Sequence, residues 1–517
     1  ITGIAASQTV IDENGQISVS GSIEDTGSLD TFTVDINWGD GTISAASVDS
    51  TLRTFTAAHV YADDKPGTAS DSYTIAATVT DDDGGTDIVS TTVLVVNIVP
   101  VVALNAVTAI VENGVATLTG TVIDPGSKDT FTVDINWGDG SETQTIMLDA
   151  SVTGSQNFTL THQYLDDNPT ATSSDSYTIT VRLTDDDTGT DSASTTVQVD
   201  NVAPTVKLDA VTAIVENGVA SLTATVTDPG TADTFTVDIN WGDGSDIETI
   251  TLAASATGSQ NFTLNHKYVD DNPTSTASDS YTITATVTDD DTGTGSVSTA
   301  VQVSNVMPVV ALNAVTAIVE NGLATLTGTV TDPGTADTFT VDINWGDGSD
   351  IETITLAASA SGSQAFTQTH QYVDDNPTAT ASDSYTITAT AMDDDTGTGS
   401  ASTTVQVSNV APVVALNAVT AIVENGLATL TGTVTDLGTE DTFTVDINWG
   451  DGSDIETITL AASTTGSQAF TLTHQYLDDN PTSTASDSYT ITATVTDDDT
   501  ETDSVSTNVQ VSNVEPI

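Results

Sequence analysis

The residues of this chain that could do chemistry are carboxylates, and they recur at a fixed spacing. The triplet Asp-Asp-Asp begins at positions 81, 185, 289, 393 and 497, so successive copies lie 104 residues apart. Each triplet is accompanied by a Glu-Asn-Gly turn, by an Asp-Asp pair and by further aspartates. Carboxylate oxygens are hard ligands, and Ca²⁺ takes 6–8 oxygen ligands in proteins. The pattern therefore indicates repeated binding of a hard divalent cation.

The overall charge limits the possible partners. The chain carries 74 acidic residues against 6 Lys and Arg, a formal net charge of −68. Such a charge opposes binding to nucleic acid and to anionic membrane surfaces. The absence of Cys excludes disulfides and thiolate metal sites. No apolar run approaches ~18 residues, so we expect no membrane insertion in this segment.

The spacing of the triplets belongs to a repeat of the whole sequence. Two further markers define it: a Trp-Gly-Asp-Gly tetrapeptide beginning at Trp38, Trp137, Trp241, Trp345 and Trp449, and an asparagine followed by Val or Ile at Asn97, Asn201, Asn305, Asn409 and Asn513. Self-similarity at a fixed period indicates tandem domains. We predict five repeats at 1–98, 99–202, 203–306, 307–410 and 411–514, with 515–517 starting a next linker. We also expect the chain to be a piece of a longer protein, with any targeting signal outside it.

Each repeat has the alternation of a β-protein. In the third repeat, Phe235, Val237, Ile239 and Trp241 alternate with polar residues, as in a half-buried strand. The Gly-Asp-Gly that follows predicts a turn. Similar stretches, the first from Val206 to Val215, bring the total to seven strands without a helix. Seven short strands in ~100 residues, one with a core Trp, predict an immunoglobulin-like sandwich. The fold class expected is all-β, with five such seven-stranded sandwiches in a linear array.

Three motifs occur in the same order in every repeat. In the third they are Trp241-Gly-Asp-Gly244, His266-Lys-Tyr268 and the alternating strand from Tyr281 to Asp289. In this combination the repeat resembles the PKD (polycystic kidney disease) domain. It departs from that family at Ile239, where a Trp is usual, and in a longer segment between the two tyrosine motifs. The resemblance implies an Ig-like sandwich in an extracellular, often bacterial, surface or secreted protein, and it implies no activity.

The predicted strand order places the acidic loops. With the seven strands called A to G in chain order, successive antiparallel strands put loops alternately at the two ends of a sandwich. In the third repeat the end that faces the next repeat carries the A–B turn (216–218), the C–D turn (242–246) and the E–F loop (270–272). The end that faces the preceding repeat carries the B–C loop (228–233) and the F–G loop (289–291). Carboxylates held this close repel each other, and either one must protonate or a cation must enter. We therefore predict calcium at the four junctions between repeats, by the same logic as the interdomain sites of cadherins.

The candidate ligands form one set at each junction. They are Glu13, Asp63, Asp64, Asn97, Asp124, Asp129, Asp185, Asp186 and Asp187 at the first; Glu112, Asp166, Asp167, Asn201, Asp228, Asp233, Asp289, Asp290 and Asp291 at the second; Glu216, Asp270, Asp271, Asn305, Asp332, Asp337, Asp393, Asp394 and Asp395 at the third; and Glu320, Asp374, Asp375, Asn409, Asp436, Asp441, Asp497, Asp498 and Asp499 at the fourth. Not all can be ligands, since three consecutive aspartates in extended chain cannot point the same way.

Two other interpretations of the acidic residues stay open. They could be solvated loops, as runs of charge usually are. They could also be an adaptation to high salt, which predicts carboxylates spread evenly over strands and loops. Their concentration in loops favours specific sites.

An enzymatic function is not expected. The histidine that recurs in strand E, at His59, His162, His266, His370 and His474, lies on the apolar face of its strand and is interpreted as a half-buried, hydrogen-bonded residue. Acidic pairs occur at every loop, without a second and chemically distinct group around them. No catalytic residues are assigned.

The function that this sequence predicts is an extracellular spacer. We expect a calcium-stiffened stalk of a bacterial surface adhesin or similar large protein, with calcium ions and neighbouring repeats as partners. One alternative is a self-assembling filament or surface layer, in which other copies of the chain are partners. A second is a ligand-binding accessory module of a secreted enzyme, which would need an exposed aromatic platform.

Overall fold

The computed structural model describes residues 1–64, 67–168, 170–272, 274–376, 378–480 and 482–515. Within these ranges all regular structure is β-strand. The chain divides into two compact units, of which one comprises 1–209, 223–263 and 283–299, and the other 210–222, 264–282 and 300–517. The predicted linker at 515–517 lies partly outside the described residues.

The strands of the first two repeats have the following bounds. In the first they are β1 Gly3–Ala6, β2 Val10–Asp12, β3 Gln16–Ser22, β4 Phe32–Asn37, β5 Ile43–Ala45, β6 Ser47–Asp49, β7 Thr54–Val60, β8 Ser70–Asp81 and β9 Thr86–Val96. In the second they are β10 Val101–Leu104, β11 Ile110–Val111, β12 Val115–Ile123, β13 Phe131–Asn136, β14 Gln144–Leu148, β15 Ser155–Gln163, β16 Ser174–Asp185 and β17 Thr190–Asp200.

The other three repeats follow the second strand for strand. The third has β18 Thr205–Leu208, β19 Ile214–Val215, β20 Val219–Thr227, β21 Phe235–Asn240, β22 Glu248–Leu252, β23 Ser259–Lys267, β24 Ser278–Asp289 and β25 Thr294–Ser304. The fourth has β26 Val309–Leu312, β27 Ile318–Val319, β28 Leu323–Thr331, β29 Phe339–Asn344, β30 Glu352–Leu356, β31 Ser363–Gln371, β32 Ser382–Asp393 and β33 Thr398–Ser408. The fifth has β34 Val413–Leu416, β35 Ile422–Val423, β36 Gly426–Thr435, β37 Phe443–Asn448, β38 Glu456–Leu460, β39 Ser467–Tyr476, β40 Ser486–Asp497 and β41 Thr502–Ser512.

Each repeat is a sandwich of two sheets. In the second repeat one sheet has the order β10-β12-β15 and the other β11-β17-β16-β13-β14. By position we call these strands A (β10), A′ (β11), B (β12), C (β13), D (β14), E (β15), F (β16) and G (β17). Neighbouring strands are antiparallel except A′ and G, where Ile110 lies opposite Val199 in a parallel pair. The prediction of an all-β chain of five tandem Ig-like sandwiches is confirmed.

The predicted number of strands was too low by one. The stretch expected to form a single first strand divides into A, which pairs with B, and A′, which pairs with G in the opposite sheet. The alternation is similar on both sides of the break, so the change of sheet leaves no mark in the apolar pattern. The first repeat also has the strand β6, which pairs with β7 beyond the edge of the smaller sheet.

The apolar faces of the two sheets form the core. In the second repeat Leu118, Val133, Ile135 and Val181 are fully buried, and Trp137 is 1 % exposed. Burying a side chain of this size contributes roughly 1.5–3 kcal/mol. This core fixes the ends of the strands, and with them the loops that carry the carboxylates.

The Trp-Gly-Asp-Gly sequence joins the core to a turn. Trp137 packs inside, and the hydroxyl of Tyr164 donates to its backbone carbonyl at 2.8 Å. Gly138 has a φ of 85°, a left-handed conformation that favours glycine. A side chain there would also collide with the backbone of Thr178. The interpretation of the Trp as core and of Gly-Asp-Gly as a turn is confirmed.

Candidate metal centre

The turn between strands A′ and B supplies one glutamate to each junction. In the first repeat the chain turns at Asn14, whose φ is 52°, and buries Glu13 to 2 % exposure. The Oε1 atom of Glu13 accepts a hydrogen bond from the backbone N–H of Ile98 in the linker, at 2.7 Å. Its Oε2 atom is buried without a partner. Glu112, Glu216 and Glu320 hold the equivalent linkers at 2.6–2.8 Å in the same way.

The B–C loop of the following repeat supplies two aspartates. The Oδ1 atom of Asp124 accepts from the N–H of Gly126 at 2.9 Å, which closes the loop, and Oδ2 is left without a partner. Asp129 is completely buried, and neither of its carboxylate oxygens has a partner. A β-carbon on Gly126 would meet both the Asp129 carboxylate and Glu13 Oε2. The two repeats therefore direct carboxylates into one small space, and the glycine keeps that space open.

The E–F loop supplies an aspartate pair. Asp63 and Asp64 are 8 % and 3 % exposed. Asp63 Oδ1 and both carboxylate oxygens of Asp64 are buried without a partner. The pair faces the next repeat, where the N–H of Ser127 donates to the carbonyl of Ala62 at 3.0 Å.

The three aspartates of the F–G triplet have different surroundings. Asp185 holds its own loop, since Oδ1 accepts from the N–H groups of Asp187 and Gly189 and Oδ2 accepts from Asn97. Asp186 Oδ1 accepts from the N–H of Thr130 at 2.8 Å. Asp187 Oδ1 accepts from the N–H of Gly67 in the preceding repeat at 2.9 Å, and Oδ2 has no partner.

The predicted candidates at the first junction are thus brought together, but they do not contribute equally. Ligand atoms of Glu13, Asp63 and Asp129 lie within 4.8 Å of one another, and so do those of Asp63, Asp64 and Asp187 and those of Asp129, Asp186 and Asp187. Asp185 lies at the same junction, but both of its carboxylate oxygens already accept hydrogen bonds. Sequence spacing alone could not separate the loop-building aspartates from those with free oxygens.

The other junctions repeat this arrangement. At the second, Glu112 groups with Asp228 and Asp233 and also with Asp166 and Asp167, within 4.8 Å. There too the first two aspartates of the triplet, Asp289 and Asp290, accept hydrogen bonds, from Gly293 and Thr234. Buried oxygens without a partner at the remaining junctions belong to Glu216, Asp271, Asn305, Asp332, Asp337 and Asp395, and to Glu320, Asp375, Asn409, Asp436, Asp441 and Asp499. Two further candidates at these junctions, Asp270 and Asp374, are buried. The first aspartates of the triplets, Asp393 and Asp497, accept hydrogen bonds from the linker asparagines. The second aspartates, Asp394 and Asp498, accept hydrogen bonds from backbone N–H groups.

The electrostatics of these sites are unfavourable without a cation. Burial raises the pKa of Glu13 to about 8 against the hydrogen bond from Ile98, and the neighbouring Asp124 and Asp63 add to the rise. Burial likewise raises the pKa of Asp167 to about 7, with the facing Asp291 as the next cause. Among the described residues, no ion pair joins a Lys or Arg to these carboxylates. The donor set is therefore hard, anionic and uncompensated, which is the chemistry that fits a divalent cation such as Ca²⁺.

The recurring histidine has a separate and local environment. His162 Nε2 and Asp139 Oδ2 of the Trp-Gly-Asp-Gly turn are 2.6 Å apart, and the imidazole stacks on Trp137 with centroids 4.8 Å apart. The same contacts recur at His59, His370 and His474. The expectation of a half-buried, hydrogen-bonded histidine is confirmed at these four positions. Its partner, the aspartate of the turn, was not foreseen.

Fold and site together define a class, that of tandem Ig-like sandwiches with acidic junctions. Residues 184–301 and 394–512 match the family described as Bacterial Ig-like domain (group 3), and together they make up somewhat less than half of the chain. Each match begins near the F–G loop of one repeat and ends in strand G of the next, so it includes a junction. No curated protein matches the sequence.

Solved structures show similarity at low identity. A tetra-tandem repeat from the extending region of a large adhesion protein is 18% identical, with a TM-score of 0.41, over 79% of this chain and 99% of that one. Extracellular cadherin domains 1–4 of protocadherin gamma B7 are 13% identical, with a TM-score of 0.26, over 72% and 91%. The Dpr2 Ig1-Ig2 complex with DIP-Theta Ig1-Ig3 is 14% identical, with a TM-score of 0.24, over 60% and 100%. At these values the likenesses do not bear on function.

Proposed function

We propose that this chain is an extracellular structural spacer of a bacterial surface protein, whose junctions are stiffened by bound calcium. The observation that carries the proposal is the convergence of buried, unpartnered carboxylate oxygens from two neighbouring repeats, as at Glu13 and Asp129. The match to bacterial Ig-like domains supports an extracellular setting. Among the described residues, no helix is long and apolar enough to cross a membrane.

Different residues at the junction position the linker and the ion. Glu13 holds the linker N–H of Ile98, and Asn97 donates to Asp185 of the next repeat, so the short connection is tied to both sides. Carboxylates of both repeats then converge, and Glu13, Asp63, Asp64, Asp124, Asp129 and Asp187 would hold the ion. When bound, calcium supplies the positive charge that these buried groups lack. Relative motion of the repeats would then require ligands to leave their positions.

The expected energy is adequate for this role. Extracellular calcium modules have dissociation constants of about 10⁻⁴–10⁻³ M. At millimolar Ca²⁺, about one to ten times such a constant, binding to the folded state alone stabilises it by about 0.4–1.4 kcal/mol per site. Summed over four junctions this is roughly 2–6 kcal/mol, which is measurable against the stability of a single domain, about 5–15 kcal/mol.

A spacer is preferred to a ligand-binding module because the aromatic residues are internal. The five Trp residues are 0–1 % exposed, so none forms a platform for a glycan. The proposal assigns no catalytic step to the chain. We retain membership of the PKD family as part of the proposal, supported by the Trp-Gly-Asp-Gly turn and the His-x-Tyr motif.

Thermal unfolding of the full chain tests the proposal. We expect millimolar Ca²⁺ to raise the melting temperature relative to a chelator at equal ionic strength, and Mg²⁺ to raise it less, since Mg²⁺ dehydrates reluctantly and needs octahedral geometry. Equal melting curves in calcium and chelator would contradict the proposal.

A further inference from the structure

The ligand atoms at each junction exceed what one ion can use. At the first junction the buried oxygens without a partner are Glu13 Oε2, Asp63 Oδ1, both of Asp64, Asn97 Oδ1, Asp124 Oδ2, both of Asp129 and Asp187 Oδ2. These are nine atoms, and one Ca²⁺ takes 6–8 ligands, usually including backbone carbonyls or water. The second junction has a comparable set, which includes both oxygens of Asp167, Asp233 and Asp291.

The ligand atoms also lie in overlapping groups. In one, Glu13 and Asp63 of the first repeat meet Asp129 of the second; in another, Asp63 and Asp64 meet Asp187. A third group joins Asp129 to Asp186 and Asp187. Asp63 belongs to the first two groups, and the third connects them. All the ligating atoms within a group lie within 4.8 Å of one another.

The number of buried carboxylates at the first junction also favours two cations over one. Six carboxylates carry the unpartnered oxygens of the first junction: Glu13, Asp63, Asp64, Asp124, Asp129 and Asp187. One divalent cation would leave four buried negative charges uncompensated, whereas two would leave two. Buried charges without compensation are strongly unfavourable. Backbone N–H groups that donate to Asp187 and Glu13 stabilise part of the negative charge that two cations would leave.

We infer that each junction binds two divalent cations in adjacent positions. The inner position is formed by Glu13 with the B–C loop residues Asp124 and Asp129. The outer position is formed by Asp64 with Asp187 of the F–G loop, and Asp63 stands between the two. At the second junction Glu112 groups with Asp228 and Asp233 at the inner position and also lies near Asp166 and Asp167. Asp167 faces Asp291 at the outer position. This inference rests on the proposed function and specifies how many ions its junctions hold.

The test counts calcium per chain by equilibrium dialysis in 0.15 M salt, which screens diffuse binding to the acidic surface. One variant removes the outer position at all four junctions: Asp64→Asn, Asp167→Asn, Asp271→Asn and Asp375→Asn. Both carboxylate oxygens of each of these side chains are without a hydrogen-bond partner, and Asn is isosteric, so we expect the fold to persist. The control removes the same charge from exposed turn residues: Glu142→Gln, Asp246→Asn, Asp350→Asn and Asp454→Asn.

Two ions per junction predict that the outer-position variant loses four ions per chain and keeps four, while the control loses none. A wild-type count of one ion per junction would overturn the inference and leave the proposed spacer intact. So would a variant that loses all of its calcium, because the ligands would then form a single site. A wild type that binds no calcium in 0.15 M salt would overturn the proposed function itself. Circular dichroism of each variant separates loss of ions from loss of fold.

Discussion

Asn97 Nδ2 donates to Asp185 Oδ2 at 3.0 Å, which joins the linker of one repeat to the F–G loop of the next, 88 residues away. The same bond recurs at 3.0–3.1 Å between Asn201 and Asp289, Asn305 and Asp393, and Asn409 and Asp497. The Oδ1 atom of each of these asparagines is buried without a partner. The linker amide therefore fixes the loop through its nitrogen and leaves its oxygen for the acidic cluster.

Replacing one linker asparagine should loosen one junction. We expect Asn201→Ala to increase amide hydrogen exchange in residues 201–205 and 285–293, because it removes the bond to the buried Asp289. Truncating one partner of such a bond costs about 1–3 kcal/mol. The exposed Asn261→Ala is the matched control. Unchanged exchange at the second junction would show that the asparagine does not fix the linker.

A β-carbon at Gly126 should interfere with calcium at the first junction only. Gly126→Ala places a methyl group against the Asp129 carboxylate and Glu13 Oε2, where the inner ligands converge. We expect calcium to raise the melting temperature less than in the wild type, and one or two fewer ions to be bound. Gly3→Ala is the control, since a β-carbon there meets no atom within 4 Å. An identical response of the two variants would contradict the placement of the ligands.

The response to pH should differ with and without calcium. Burial raises the pKa of Glu13 to about 8 and that of Asp124 to about 6, so these groups bind more protons in the folded chain than in the unfolded one above about pH 4. Stability without metal should therefore fall as pH rises from about 4 to 8. Calcium competes with these protons, so its stabilising effect should grow over the same range. Thermal melts at pH 5, 6, 7 and 8, in calcium and in chelator, measure both trends. A calcium effect that is largest at pH 5 would be inconsistent with carboxylate ligands.

The histidine contact should stabilise a repeat independently of calcium. Asp139→Asn removes the negative charge that His162 faces at 2.6 Å and keeps the size of the side chain. Burial raises the pKa of Asp139, but the hydrogen bonds from His162 and Ser141 outweigh it, so the pKa lies below its usual value. We expect a loss of about 1–3 kcal/mol, as for a hydrogen bond to a charged group. Chemical unfolding in calcium and in chelator should show the same loss, with the exposed Asp149→Asn as control. A loss confined to calcium would instead link the contact to the metal site.

The fold was largely accessible from sequence because its signals are local. Strand alternation such as Phe235–Val237–Ile239–Trp241 needs only the two-residue period, and the repeat fixes the number of sandwiches. The split of the first strand between two sheets could not be seen, because both halves have similar apolar patterns. Strand direction also predicted which loops meet at the junctions. The different uses of Asp185, Asp186 and Asp187 depend on backbone N–H groups that only the folded loop brings near. The same holds for Gly126, whose importance lies in the space beside it.

In the proposed function, calcium at the junctions holds neighbouring repeats in a fixed relation. Small-angle X-ray scattering of the full chain, in saturating Ca²⁺ and in chelator at matched ionic strength, tests it most directly. We predict a larger maximum dimension and a less flexible scattering profile in calcium, with return to the flexible profile on chelation. Superimposable profiles in the two conditions, with calcium shown to be bound, would contradict the claim.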